Sequence, residues 1–160
     1  MAADSTLYDD VRSHFAKGDV LVVVGAGVSM GATRGNPIAS WTGLLEHGAK
    51  RCREVCSLSD DWLARREADL ASGDMEDLLG VAAAVASRLG SPKGGEYRRW
   101  LRETVGGLRA TSRDVLEALR DLKVPIATTN YDGLLEEVTG RPAVTWQDGA
   151  KVERVIRGDD

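Results

Sequence analysis

Two short runs hold the residue types and spacings that could do chemistry. In the first, Gly25-Ala26-Gly27-Val28-Ser29, the glycines permit a tight turn and leave room for a pyrophosphate to approach the backbone. Backbone N–H groups opening after such a turn carry partial positive charge that favours phosphate oxygens, and the Ser29 hydroxyl can donate as well. The run reads GxGxxxG as far as Gly31, one residue away from the GxGxxG of dinucleotide-binding turns. An ordinary strand-to-loop turn is the plain alternative. Arg34, in the glycine-rich stretch beyond, is the basic residue to watch for a phosphate contact. No Gly-Lys-Ser or Gly-Lys-Thr follows the glycines, which argues against Walker-type phosphate binding.

The second run, Thr128-Thr129-Asn130-Tyr131-Asp132, falls where a strand is expected to end and a helix to begin. In an open α/β sheet that is the carboxyl edge, where ligands bind. Asn130 offers both a donor and an acceptor, and Asp132 adds an anionic acceptor two residues on. The plain alternative is that one of them only caps the following helix. No acid-rich pair accompanies them, as a carboxylate-bound magnesium would need.

Positioning these runs requires strands just before each. Val20-Leu21-Val22-Val23-Val24 is a continuous β-branched run, the pattern of a strand covered on both faces of a parallel sheet. Val124-Pro125-Ile126-Ala127-Thr128 reads as a second buried strand, with Pro125 near its start, where a missing ladder donor is tolerated. A first helix carries Leu7, Tyr8, Val11 and Phe15 on one face and closes at Gly18. Between the strands, helical spacing predicts helices from Trp41 to about Val55, Trp62 to Ala71, Met75 to Leu89 behind an Asp74 cap, Tyr97 to Val105, and from Thr111 or Ser112 through Leu122. Gly90, Pro92, Gly94 and Gly95 form a loop. A helix over 132–138 follows the second strand, and 143–146 and 151–157 read as third and fourth strands. The expected fold is therefore α/β: a Rossmann-like parallel sheet with a helical insertion between its first two strands, and only the N-terminal part of a full doubly wound domain. Half such a sheet leaves an open edge, to be completed by a further domain or a second copy.

Composition narrows the function classes. With 160 residues, 42% hydrophobic and 29% charged, the chain is expected to form one soluble domain. Its net charge of -4 comes from interleaved acids and bases, with no basic stripe for nucleic acid. The apolar run at 20–24 is far too short for a bilayer, and the acidic N-terminus is not an export signal. Cys52 and Cys56, four apart in a helical segment, are expected to be reduced, partly buried thiols of a cytoplasmic protein. Trp41, Trp62, Trp100 and Trp146 sit at apolar positions and are expected in the core.

Taken together and in order, GAGVS at Gly25 to Ser29, Trp41 with Leu44-Leu45, and TTNYD at Thr128 to Asp132 resemble the sirtuin-like NAD-consuming family. They are most similar to the stand-alone NADase branch of bacterial antiphage defence, over about residues 8 to 157. The resemblance implies that Gly25, Ala26, Gly27 and Ser29 contact the phosphates and ribose of NAD+. It makes Asn130 the catalytic asparagine that positions the nicotinamide ribose and a water, and Asp132 the holder of the nicotinamide amide. The implied reaction cleaves the N-glycosidic bond to nicotinamide through an oxocarbenium-like state that fixed polar groups stabilise. Deacetylating sirtuins carry Gly-Ile-Pro-Asp-Phe-Arg after the first turn, where this chain has Gly31-Ala32-Thr33-Arg34-Gly35-Asn36-Pro37. They also carry a four-cysteine zinc module, which two cysteines four apart cannot make, so no metal is expected and deacylation is disfavoured. An oxidoreductase is disfavoured too, for want of a strand ending in an acid some twenty residues after the glycines. The family's histidine follows the asparagine segment, whereas His14 and His47 both precede it. It is expected just past Asp160, in a longer protein. A non-catalytic module that senses NAD+ or ADP-ribose, or serves in assembly, is the alternative.

Overall fold

The computed structural model describes residues 3–90 and 95–157, so Pro92, Gly94 and the last three residues lie outside it. Helix α1 (Ala3–Lys17) ends at Gly18, whose φ of +74° takes the left-handed conformation that lets the chain leave the helix. Strand β1 (Val22–Val24) then runs parallel to β2 (Ile126–Thr128), with Val22 opposite Ile126, Val23 opposite Ala127 and Val24 opposite Thr128. The ladder is extended at both ends: Val22 N–H donates to the Pro125 carbonyl at 3.0 Å, and Thr129 N–H donates to the Val24 carbonyl at 3.2 Å.

Each strand leads into a helix, α2 (Ala26–Ala32) after β1 and α8 (Leu134–Thr139) after β2. Between them lie α3 (Trp41–Cys56), α4 (Asp60–Ser72), α5 (Met75–Leu89), α6 (Gly95–Glu103) and α7 (Asp114–Asp121). The inner helices start where side-chain caps supply acceptors for orphan N–H groups. Ser40 accepts from Gly43 N–H, Ser59 from Trp62 N–H and Asp74 from Glu76 N–H. They stop at left-handed residues: Ser57, Gly73 and Gly90.

The core is helical. Leu44, Leu45 and Cys52 of α3 meet Val81, Val85 and Leu89 of α5, with Trp100 of α6 and Leu70 of α4 closing around them. Leu116 of α7 and Leu134 of α8 extend it toward the strands. Each fully buried apolar side chain of this kind contributes about 1.5–3 kcal/mol. Gly48 lets α3 come close: a Cβ there would lie 2.8 Å from the Trp100 ring and 2.9 Å from Val85.

The expected Rossmann-like sheet is not what forms. Among the described residues helix takes 68% and strand only 4%, in a two-stranded parallel pair. The third expected strand, 143–146, has no ladder, and its Thr145 carbonyl instead accepts from Asp148 N–H in a turn. The fourth is helix α9 (Gly149–Arg157). Val152 and Val155 are three apart, a helical spacing, and Asp148 accepts from Lys151 N–H at the start. Hydrogen bonds from Lys151 hold the Asp148 carboxyl below its usual range, the side-chain one foremost. The Val20–Val24 run is not covered on both faces either: Leu21 and Val23 are exposed, Val23 by 66%, while Val24 is buried. The first helix forms, but Leu7, Tyr8 and Val11 face solvent. Trp100 is in the core and Trp62 half-buried, whereas Trp41 is exposed and Trp146 is 85% exposed. Cys52 and Cys56 are free thiols, the first buried and the second half-buried, and burial pushes the Cys52 thiol up to about 11. Among the described residues, no helix is long and apolar enough to cross a membrane.

Candidate functional site

The parallel pairing of β1 and β2 brings their carboxyl ends side by side, and with them the turn at Gly25 and the segment Thr129 to Asp132. A three-member hydrogen-bond unit joins the two. The Ser29 hydroxyl donates to Asp132 Oδ2 at 2.6 Å and accepts from Asn130 Nδ2 at 2.8 Å. Asn130 Nδ2 also donates to the Gly25 carbonyl at 3.0 Å. Asn130 thus gives both amide hydrogens to the β1 side, which turns its Oδ1 into the amide's open acceptor. Backbone bonds set the same residues: Asn130 N–H donates to Thr128 Oγ1, and Asp132 Oδ1 accepts from Leu134 N–H at 3.1 Å. Asp132 therefore both caps the approach to α8 and closes the unit.

Ser29 is 1% exposed. Its carbonyl accepts from the Thr33 hydroxyl at 2.7 Å, which fixes α2 from inside. The far end of α2 is tied down in turn by the Ala32 carbonyl, which accepts from Thr111 and Ser112 N–H at 2.8 and 2.9 Å. With its hydroxyl spent on Asp132 and Asn130, Ser29 holds the two loop residues in register and presents no group outward.

The unit opens on a cavity of about 580 Å³ lined by Ala26, Thr129, Asn130, Tyr131 and Asp132 on the strand side. Its floor is apolar, from Leu44, Leu45, Val85, Leu101 and Val105, and Trp41, Tyr97 and Trp100 add aromatic walls. Tyr97 meets Trp100 edge to face, with ring centroids 5.5 Å apart and planes at 67°. Burial pushes the Tyr97 phenol above its ordinary value, with a smaller contribution from Tyr131. Tyr131 itself is 76% exposed at the mouth. An apolar well with a few fixed polar groups at one side suits a flat ring carrying a polar edge.

The predicted residues divide cleanly. Gly25, Ala26, Ser29, Asn130 and Asp132 come together, although 101 to 105 positions separate the paired members in sequence. Gly27 lies in the first turn of α2, where a Cβ would meet nothing within 4 Å, so no protein atom requires glycine at that position. Arg34 is not brought to the cavity. It sits past the far end of α2 with φ +53°, roughly 10 Å along the helix axis from Ala26. Tyr97 and Trp100 were not singled out as site residues from sequence; nothing in their helical spacing separates a cavity wall from ordinary core. No family model, curated protein or solved structure matches this chain.

Proposed function

We propose that the chain binds NAD+ in the cavity beside Asn130 and supplies the asparagine of an NAD+ glycohydrolase, which releases nicotinamide and ADP-ribose, as an effector of antiphage defence. The observation that supports this most is the pinned Asn130 amide, whose open Oδ1 accepts no hydrogen bond among the described residues. An acceptor held this way can receive a ribose hydroxyl or an attacking water without reorganising, which is how fixed dipoles lower a barrier. The bond to break joins ribose C1′ to the pyridinium nitrogen; its electron pair returns to the ring, nicotinamide leaves neutral, and water adds to the oxocarbenium carbon with loss of a proton. The Asp132 carboxylate, beside Asn130, supplies negative charge near that developing cation. The apolar floor and aromatic walls favour a heteroaromatic ring.

The second reading is an NAD+- or ADP-ribose-binding module without turnover. It is favoured by where the histidines stand: His14 is exposed on α1, and His47 lines a separate cavity with Lys50 and Arg51. Neither adjoins Asn130. Calorimetry with NAD+ and ADP-ribose, beside a nicotinamide-release assay, separates the readings. Release that falls about a hundredfold in Asn130→Ala supports the hydrolase. Binding with no release supports the module, and a chain that binds neither ligand sinks both.

A further inference from the structure

Trp100 forms part of two cavities. It lines the Asn130 cavity and also the smaller one, whose lining includes His47, and its Nε1–H donates to His47 Nδ1 at 3.0 Å. The ring also packs over Gly48, where a Cβ would lie 2.8 Å from it, and meets the Tyr97 ring in a T-shaped arrangement. Trp100 is 3% exposed and His47 Nδ1 is the acceptor its N–H meets, while His47 itself is open to solvent.

We propose that His47 is a positioning residue for Trp100, and that protonation of its Nδ1 releases this wall of the Asn130 cavity and weakens ligand binding. The donor–acceptor sense requires a neutral imidazole with its hydrogen on Nε2, because the imidazolium has two donors and no acceptor. Imidazole is the side chain that makes this change between about pH 5 and 8. A buried indole N–H left without an acceptor is costly, so the ring shifts when the proton arrives. The charged groups around His47 are mixed. Glu46, Lys50, Arg51 and Glu54 flank it on α3, Glu103 faces it from α6, Glu96 of α6 holds Arg51 at 2.6 Å, and Glu46, with a smaller part from Glu67 of α4, acts on Lys50. Lys50 and Arg51 keep their charge throughout this range, since their carboxylate partners raise both further.

The test reads the indole N–H resonance of Trp100, assigned by substituting Trp41, Trp62 and Trp146 with Phe in turn. Expected is a single shift between pH 8 and 5 in the native chain and none in His47→Asn, whose amide oxygen replaces Nδ1 as an acceptor that does not titrate. A resonance that stays put in the native chain, or that moves equally in His47→Asn, overturns the proposal. The second measurement rests on the reading of the cavity as the NAD+ site. ADP-ribose affinity is expected to fall roughly fivefold from pH 8 to 5 in the native chain and to hold in His47→Asn; an equal fall in both overturns the link to binding. Absence of ADP-ribose binding at either pH overturns that link as well, along with the site reading, while the resonance decides the role of His47.

Discussion

Ser29 is where the chemistry expected of a residue type and its place in the molecule diverge most. A serine after a glycine turn invites a phosphate contact, yet its hydroxyl is spent between Asp132 at 2.6 Å and Asn130 at 2.8 Å, inside the protein. Its importance to a ligand is then indirect. Ser29→Ala leaves Asp132 Oδ2 without its Ser29 donor and leaves the Asn130 amide held by the Gly25 carbonyl alone. The expected loss is about 1–3 kcal/mol of stability by urea unfolding, and the proposed NAD+ binding is expected to weaken with it. Unchanged stability would mean that the three-member unit does not hold the two loops together. Arg34, outside the cavity, is expected to be silent in the same binding measurement when changed to Ala.

Helix packing depends on one missing side chain. Gly48 lies within α3, where glycine weakens a helix, and its use is steric: Val85 of α5 and the Trp100 ring occupy the space a Cβ would need. Gly48→Ala therefore trades a small gain in helix propensity for overpacking, and a net loss of about 1–3 kcal/mol is expected in a thermal or denaturant melt. Much at this scale was legible beforehand. The Asp74 cap and the helix from Met75 to Leu89 are where the spacing puts them, because caps and apolar periodicity act within one or two turns. The third and fourth strands were not. In the 151–157 segment the valines at 152 and 155 satisfy a helix as well as a weak strand, and a strand there would also need a partner to pair with. The two loops of the site were legible for the opposite reason: each follows a short strand, and the chemistry of glycine, asparagine and aspartate at strand ends is local.

The whole molecule is a helical body carrying a two-stranded parallel pair whose outer face is uncovered. Parallel strands are ordinarily buried on both faces, and here Leu21 and Val23 face out. Exposed apolar strand surface of this kind drives association. The mean mass by light scattering is expected to rise with protein concentration, and Val23→Lys is expected to lower it while shifting stability by no more than about 0.5 kcal/mol. A native chain that stays monodisperse across the range would show that this face is inert.

The sequence by itself determined the local features: the capped inner helices, the two strand segments, and the two polar runs that follow them. Their signals reside in neighbours a few positions away, where capping, turn chemistry and periodicity operate. Only the tertiary structure decided that the valine run would be half exposed, that Ser29 would face inward to Asp132, that Arg34 would stand away from the cavity, and that His47 would grip Trp100. Each of these depends on which distant surfaces meet, and pairing across a hundred residues is set by the packing of the whole core rather than by any one segment's preference.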